Sequence, residues 1–93
     1  MIKNFYDKDT ERIYDRKPVK SVHPNLQRAA QRKLDMLDAA VTLEDLRIPP
    51  RNYLEKLSRD RVGQHSIRVN DQFRICFIWT GTGPERVEFT DYH

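Results

Sequence analysis

Apolar positions in the first half of the chain recur at helical spacing, whereas those in the second half alternate or cluster as strands do. The stretch Ile2-Lys3-Asn4-Phe5-Tyr6 mixes apolar and polar residues and predicts a short N-terminal strand. Asp7 or Asp9 then suits the cap of a helix carrying Ile13 and Tyr14, which must stop before Pro18. Pro24 fits the first turn of a longer helix, with Ser21 or His23 near its cap. Along it Leu26, Ala30, Leu34, Leu37 and Val41 form one stripe, widened by Ala29, Met36 and Ala40, with Arg28, Arg32 and Asp35 off it. Thr42-Leu43-Glu44-Asp45 resembles a capping box and predicts one further helical turn over Leu43 to Leu46.

Pro49-Pro50 closes the helical half. Beyond it, Asn52 to Leu57 reads as a strand. His65 to Val69 alternates, with Ile67 and Val69 on one face and Ser66 and Arg68 on the other. Asn70-Asp71-Gln72 makes a hairpin turn into Phe73 to Trp79, the most apolar stretch of the chain. Thr80-Gly81-Thr82-Gly83-Pro84 is a second turn, and Arg86 to Tyr92 a final strand. The order predicts a single α+β domain over residues 1–93: an N-terminal strand, two helices, then three or four further, mainly antiparallel strands, with the helices on one face of the sheet.

Composition narrows the function. The 93 residues are 38% hydrophobic and 33% charged, lean but with four Phe, four Tyr and one Trp to seed a core. No apolar run is long enough to cross a bilayer, and the start of the chain lacks the apolar stretch of a signal peptide, so a cytoplasmic protein without membrane contact is expected. A lone Cys76 excludes an internal disulfide and, lying mid-strand among apolar residues, reads as a packing residue. Three glycines cannot supply a phosphate-cradling loop. His23, His65 and His93 are too scattered for a metal site, so neither metal nor cofactor is expected.

The net charge of +3 is the remainder of unequal blocks. Met1 to Lys33 carries +5 and Arg51 to Arg74 carries +3, while the segments that follow each are acidic. Such blocks solvate a surface or meet a polyanion, and local concentration favours a nucleic-acid groove over uniform coating of a duplex.

Three features carry possible chemistry. Asp91-Tyr92-His93 sets a carboxylate, a phenol and an imidazole after an apolar strand, with Asp91 and His93 on the same side by alternation; a frayed polar tail is the alternative. Arg74, between Phe73 and Ile75, either pairs with a carboxylate such as Glu88 on the next strand or holds a phosphate, with Arg68 beside it. Lys56-Leu57-Ser58-Arg59-Asp60-Arg61 forms a basic loop before the hairpin.

Taken as one string, Leu57-Ser58-Arg59-Asp60-Arg61-Val62-Gly63-Gln64-His65-Ser66-Ile67-Arg68-Val69-Asn70-Asp71-Gln72-Phe73-Arg74-Ile75-Cys76-Phe77 resembles the core of HigB-type toxins, the RelE-superfamily branch also called plasmid maintenance killer proteins. Ile2-Lys3-Asn4-Phe5, Lys33-Leu34 with Leu37-Asp38-Ala39-Ala40, and the closing Asp91-Tyr92-His93 extend the likeness over the whole chain.

The resemblance implies a RelE-like microbial RNase fold. It also implies an endoribonuclease that cuts mRNA in the ribosomal A site without metal, by attack of the ribose 2′-OH on the neighbouring phosphate. The implied partner is a cognate HigA-type helix-turn-helix antitoxin, through which alone operator DNA is met. Asp91 and His93 match the family's acid–base positions, Tyr92 its tyrosine and Arg74 its phosphate-binding arginine, while Lys56, Arg59, Arg61 and Arg68 are the basic residues expected to meet RNA. Four positions depart: Glu55 and Ser58 stand where better-known members carry His and Lys, Arg59 where the pattern has Gly, and Phe73 where it has Trp. A weak toxin is the expectation. The competing reading is a non-enzymatic ribosome- or RNA-binding growth inhibitor with an inert terminal triplet.

Overall fold

The helical stripe folds as its spacing predicts. In the computed structural model, which describes residues 1–92, helix α1 spans Lys8–Tyr14 and helix α2 spans Pro24–Ala39. Asp7 caps α1 by accepting the Thr10 amide at 3.0 Å, and His23 Nδ1 caps α2 by accepting the Asn25 amide at 3.1 Å. Ala30, Leu34 and Leu37 are fully buried along α2, and Ile13 is buried on α1. Gln27 lies among them as a polar tie: its Oε1 accepts the Val19 amide and its Nε2 donates to the Lys17 carbonyl, pinning the connection between the helices. Val41, expected on the stripe, lies beyond the end of α2 and is exposed, because Ala40 turns to extended backbone with ψ at 132°.

The capping box is present. Thr42 and Asp45 bond reciprocally and start a 3-10 turn, Leu43–Arg47, that buries Leu46. A second short turn, Pro50–Asn52, buries Asn52. Its Nδ2 donates to the Leu46 carbonyl at 3.0 Å, and its Oδ1 accepts from Lys33 Nζ at 2.6 Å. Asn52 thereby ties this connection to α2, a use of a buried amide that repays its desolvation.

The second half is an antiparallel meander of strands β1 (Glu55–Lys56), β2 (His65–Arg68), β3 (Phe73–Thr80) and β4 (Gly83–Asp91) in that order. The strand expected over Asn52 to Leu57 contracts to two residues, since Asn52 is spent on the helical half and Tyr53 adopts left-handed backbone. The expected N-terminal strand is reduced to one parallel bridge, Phe5 to Val87. It docks where β4 bulges: Cys76 pairs with Glu88 but Ile78 with Glu85, leaving an extra residue on β4. Arg86, in left-handed backbone at this bulge, gives its amide to Asn4 Oδ1. Gly83 is required nearby, because a Cβ there would come within 2.3 Å of the Met1 carbonyl oxygen.

Alternation along β3 divides the sheet. Ile75 and Phe77, with Ile67 on β2 and Val87 on β4, pack under the helices. Arg74 and Cys76, with Ser66, Arg68, Glu88 and Thr90 as cross-strand neighbours, occupy the other face.

Candidate nucleic-acid interface

Arg74 is anchored before any ligand arrives. Its Nε donates to Ser66 Oγ at 2.7 Å and its Nη2 to the Tyr53 carbonyl at 2.6 Å, while Nη1 lies 3.8 Å from the Glu55 carboxylate. The pairing with Glu88 weighed from the sequence is not made. Glu88 instead binds Arg61 at 3.0 Å, which raises the Arg61 pKa and keeps that guanidinium charged. Arg74 is therefore a cation held in one orientation, with its fork partly committed to backbone and hydroxyl.

The terminal triplet divides at the register. Asp91 pairs with Phe73 and Arg74 with Thr90, so alternation sends Asp91 to the helix side and Tyr92 to the arginine side. Tyr92 lies under the Arg61 guanidinium, 5.8 Å from its ring centre, and Asp91 accepts a hydrogen bond from Gln72 Nε2 at 2.9 Å. His93 lies outside the described residues.

Around Arg74 the cations and rings form one track. A groove of about 470 Å³ is lined by Lys33, Arg51, Tyr53, Arg68 and Asn70. It shares Tyr53, Arg68 and Asn70 with a second hollow that adds Arg74 and Tyr92. Tyr92 in turn opens onto a third, walled by Ser58, Arg59, Asp60 and Arg61. Arg68 is salt-bridged to Asp71 and lies 5.5 Å from the ring centre of Tyr53. Of the basic residues expected to meet RNA, Arg59, Arg61 and Arg68 join this track. Lys56 does not: it pairs with His65, whose alternation points to the helix side.

Arg51, Lys33 and Tyr53 were missed. Arg51 lay in the basic block but was not singled out, and nothing in the sequence tied Lys33 to it. The contact runs through Asn52, which binds Lys33 directly. Burial and the neighbouring Arg32 lower the Lys33 pKa, marking an ammonium short of counter-charge. Cys76 is fully buried on this face, and burial pushes its thiol pKa up, as a packing residue requires.

Two helices packed on one face of a four-stranded antiparallel meander, with arginines on the other face, define an α+β protein. The structure superposes with a TM-score of 0.63 on a chain of the YoeB-YefM complex from Staphylococcus aureus, covering 100% of this chain and 98% of that one at 14% identity. The model of the HigB-like toxins, RelE-like toxins of type II toxin-antitoxin systems, matches residues 3–93, and the chain belongs to that family. It is 44% identical over 80 residues to Toxin HigB-1 of Vibrio cholerae serotype O1, spanning 85% of this chain and 84% of that protein. It is 45% identical over 53 residues to an uncharacterized protein of Haemophilus influenzae, covering 57% of this chain and 52% of that one. No helix among the described residues is long and apolar enough to cross a membrane.

Proposed function

We propose that the chain is a cytoplasmic, ribosome-dependent mRNA endoribonuclease that arrests growth until a cognate HigA-type helix-turn-helix antitoxin neutralises it. The observation that carries the reading is the pre-anchored Arg74 beside Tyr92, set midway along a track of cations and aromatic rings. Phosphates supply affinity to the cations, and a fixed guanidinium stabilises the charge that develops on a phosphate under attack.

In this reaction the ribose 2′-oxygen attacks the adjacent phosphorus, a 2′,3′-cyclic phosphate forms, and the bond to the 5′-oxygen breaks. Glu55, 3.8 Å from the Arg74 guanidinium, takes the proton from the 2′-OH. The leaving 5′-oxygen takes one from His93, the residue to which the resemblance gives acid–base work. Tyr92 contacts the phosphate with Arg74. Asp91, which accepts from Gln72 Nε2, is the other position to which the resemblance gives acid–base work. The chemistry balances with these groups alone and needs no cofactor. A carboxylate is a weaker general base than an imidazole, so Glu55 in the family's His position gives slower cleavage.

The test is induced expression followed by mapping of mRNA 5′ ends on ribosomes. Discrete in-frame breaks with wild-type protein, lost in His93→Ala and in Glu55→Gln while ribosome binding persists, are the expected result. Growth arrest that survives both substitutions without new 5′ ends would instead establish a binding inhibitor. Glu55→His should speed cleavage.

A further inference from the structure

We infer that Tyr53, with Arg51 and Lys33, forms a subsite that stacks one unpaired base of the RNA next to the scissile phosphate. The inference rests on the ribonuclease reading for the identity of the ligand and on the groove itself for the site.

Tyr53 is more than half exposed. It is nevertheless rigidly set. Its backbone is in left-handed conformation, with φ at 43°, between buried Asn52 on one side and the Arg74 anchor on its own carbonyl. The main chain that carries the ring is thus held against Arg74. Lys33 and Arg51 line the far side of the same groove, and Lys33 is drawn there by Asn52. An open aromatic ring flanked by cations is the arrangement that holds a single-stranded nucleotide, base on ring and phosphate on cation. A duplex keeps its bases stacked within the helix and offers no free base face to the ring.

The Arg68 guanidinium lies 5.5 Å from the ring centre and is itself held by Asp71. A base arriving on Tyr53 displaces the guanidinium toward a phosphate, where Arg74 is its cross-strand neighbour. Asp71 therefore opposes binding, and its removal should favour it.

Tyr6 provides an internal control. It is comparably exposed and also lies beside a guanidinium, that of Arg86, 5.6 Å from its ring centre. Its groove, however, is lined by Asp7 and Glu11 as well as Lys3 and Lys8, and lies away from the arginine face.

The experiment measures binding of a fluorescent 2′-O-methyl RNA octamer, which cannot be cleaved, to the full chain by anisotropy. Tyr53→Ala should weaken binding by about tenfold, as loss of one stacked base does. Tyr53→Phe should bind as wild type, because stacking needs the ring and not the hydroxyl. Tyr53→Gly removes the ring while suiting the left-handed backbone, and the Arg74 anchor on the main chain is retained, so a folding defect cannot account for its matching loss. Asp71→Asn should tighten binding a few-fold, and Tyr6→Ala should leave it unchanged. Wild-type affinity in both Tyr53→Ala and Tyr53→Gly, an equal loss in Tyr6→Ala, or equal competition by an RNA duplex would each overturn the subsite. Because the probe is uncleavable, a protein that fails to cut mRNA but stacks the octamer on Tyr53 would refute the ribonuclease reading and leave the subsite standing.

Discussion

The two faces of strand β3 obey opposite rules although their residues alternate along eight positions. On the helix face Ile75 and Phe77 are wholly excluded from water and are fixed by shape alone. On the other face Arg74 is fixed by hydrogen bonds to Ser66 Oγ and to the Tyr53 carbonyl. A period of two lets one strand do both, so the residues packed under the helices and those on the arginine face are interleaved along it. Substitutions should therefore sort cleanly into those that unfold the chain and those that disarm it.

The largest effect belongs to the closed face. Phe77→Ala empties the centre of the core and should cost about 3–5 kcal/mol, read as a lowered midpoint in urea unfolding. Next is Arg74→Met, which keeps the stem but deletes the charge. It should reduce cleavage by roughly a hundredfold or more while shifting the unfolding midpoint far less than Phe77→Ala does. An Arg74→Met protein that unfolds as readily as the Phe77 variant would show that the faces are not separable. Asn52→Ala should fall between them in kind. It strands the Leu46 carbonyl and the Lys33 ammonium, costing roughly 1–3 kcal/mol, and it also loosens the Tyr53 ring from its place beside Arg74.

How far each face was legible in the sequence follows from the same contrast. The core face announces itself by periodicity: Ala30, Leu34 and Leu37 are buried as the stripe requires. Arg74 was conspicuous for a related reason, a full charge in an apolar strand. The partners of such a charge are another matter. Glu88 was the natural neighbour by strand order, yet Arg61 reaches it from a loop, and Arg74 turns to the main chain of Tyr53, 21 residues away. Register decided that Asp91 and Arg74 lie on opposite sides, and no spacing within one strand reveals the register of a pair. The N-terminal strand failed for a similar reason, since its pairing depends on the bulge at Arg86. Tyr53 was hidden because residue type gave no sign of left-handed backbone, and as part of an extended strand it would have pointed elsewhere.

Arg59 sharpens the comparison with a smaller effect of mixed sign. Its backbone is left-handed, with φ at 57°, a conformation that suits the glycine of the resembled pattern and strains an arginine. Arg59→Gly should stabilise the fold by about 0.5–1 kcal/mol. The same change should weaken RNA binding and reduce the slope of log affinity against log salt by about 0.7, the share of one phosphate contact on a single strand. A loss of both stability and affinity would mean that Arg59 is a structural residue after all.

The smallest effect lies at His65, the first residue of β2, between Lys56 and Phe77. Its ring stacks against Phe77 at 6.3 Å, and among the described residues its buried Nδ1 has no hydrogen-bond partner. Burial first, then the charges of Lys56 and Arg47, lower its pKa below the ordinary histidine value near 6.5. A lowered folded-state pKa means that the unfolded chain takes up a proton which the folded chain refuses. Stability contributed by neutral His65 is thus fully present above the unfolded pKa and declines as the pH falls through the range below about 6.5. Urea unfolding at pH 7.5 and pH 5.5 should show a larger acid loss for wild type than for His65→Gln, which cannot take up the proton. Since His65 lies off the RNA track, the same substitution should leave octamer binding at pH 7.5 unchanged. An equal acid loss in both proteins would place the burden on other groups and leave His65 as packing for Phe77 alone.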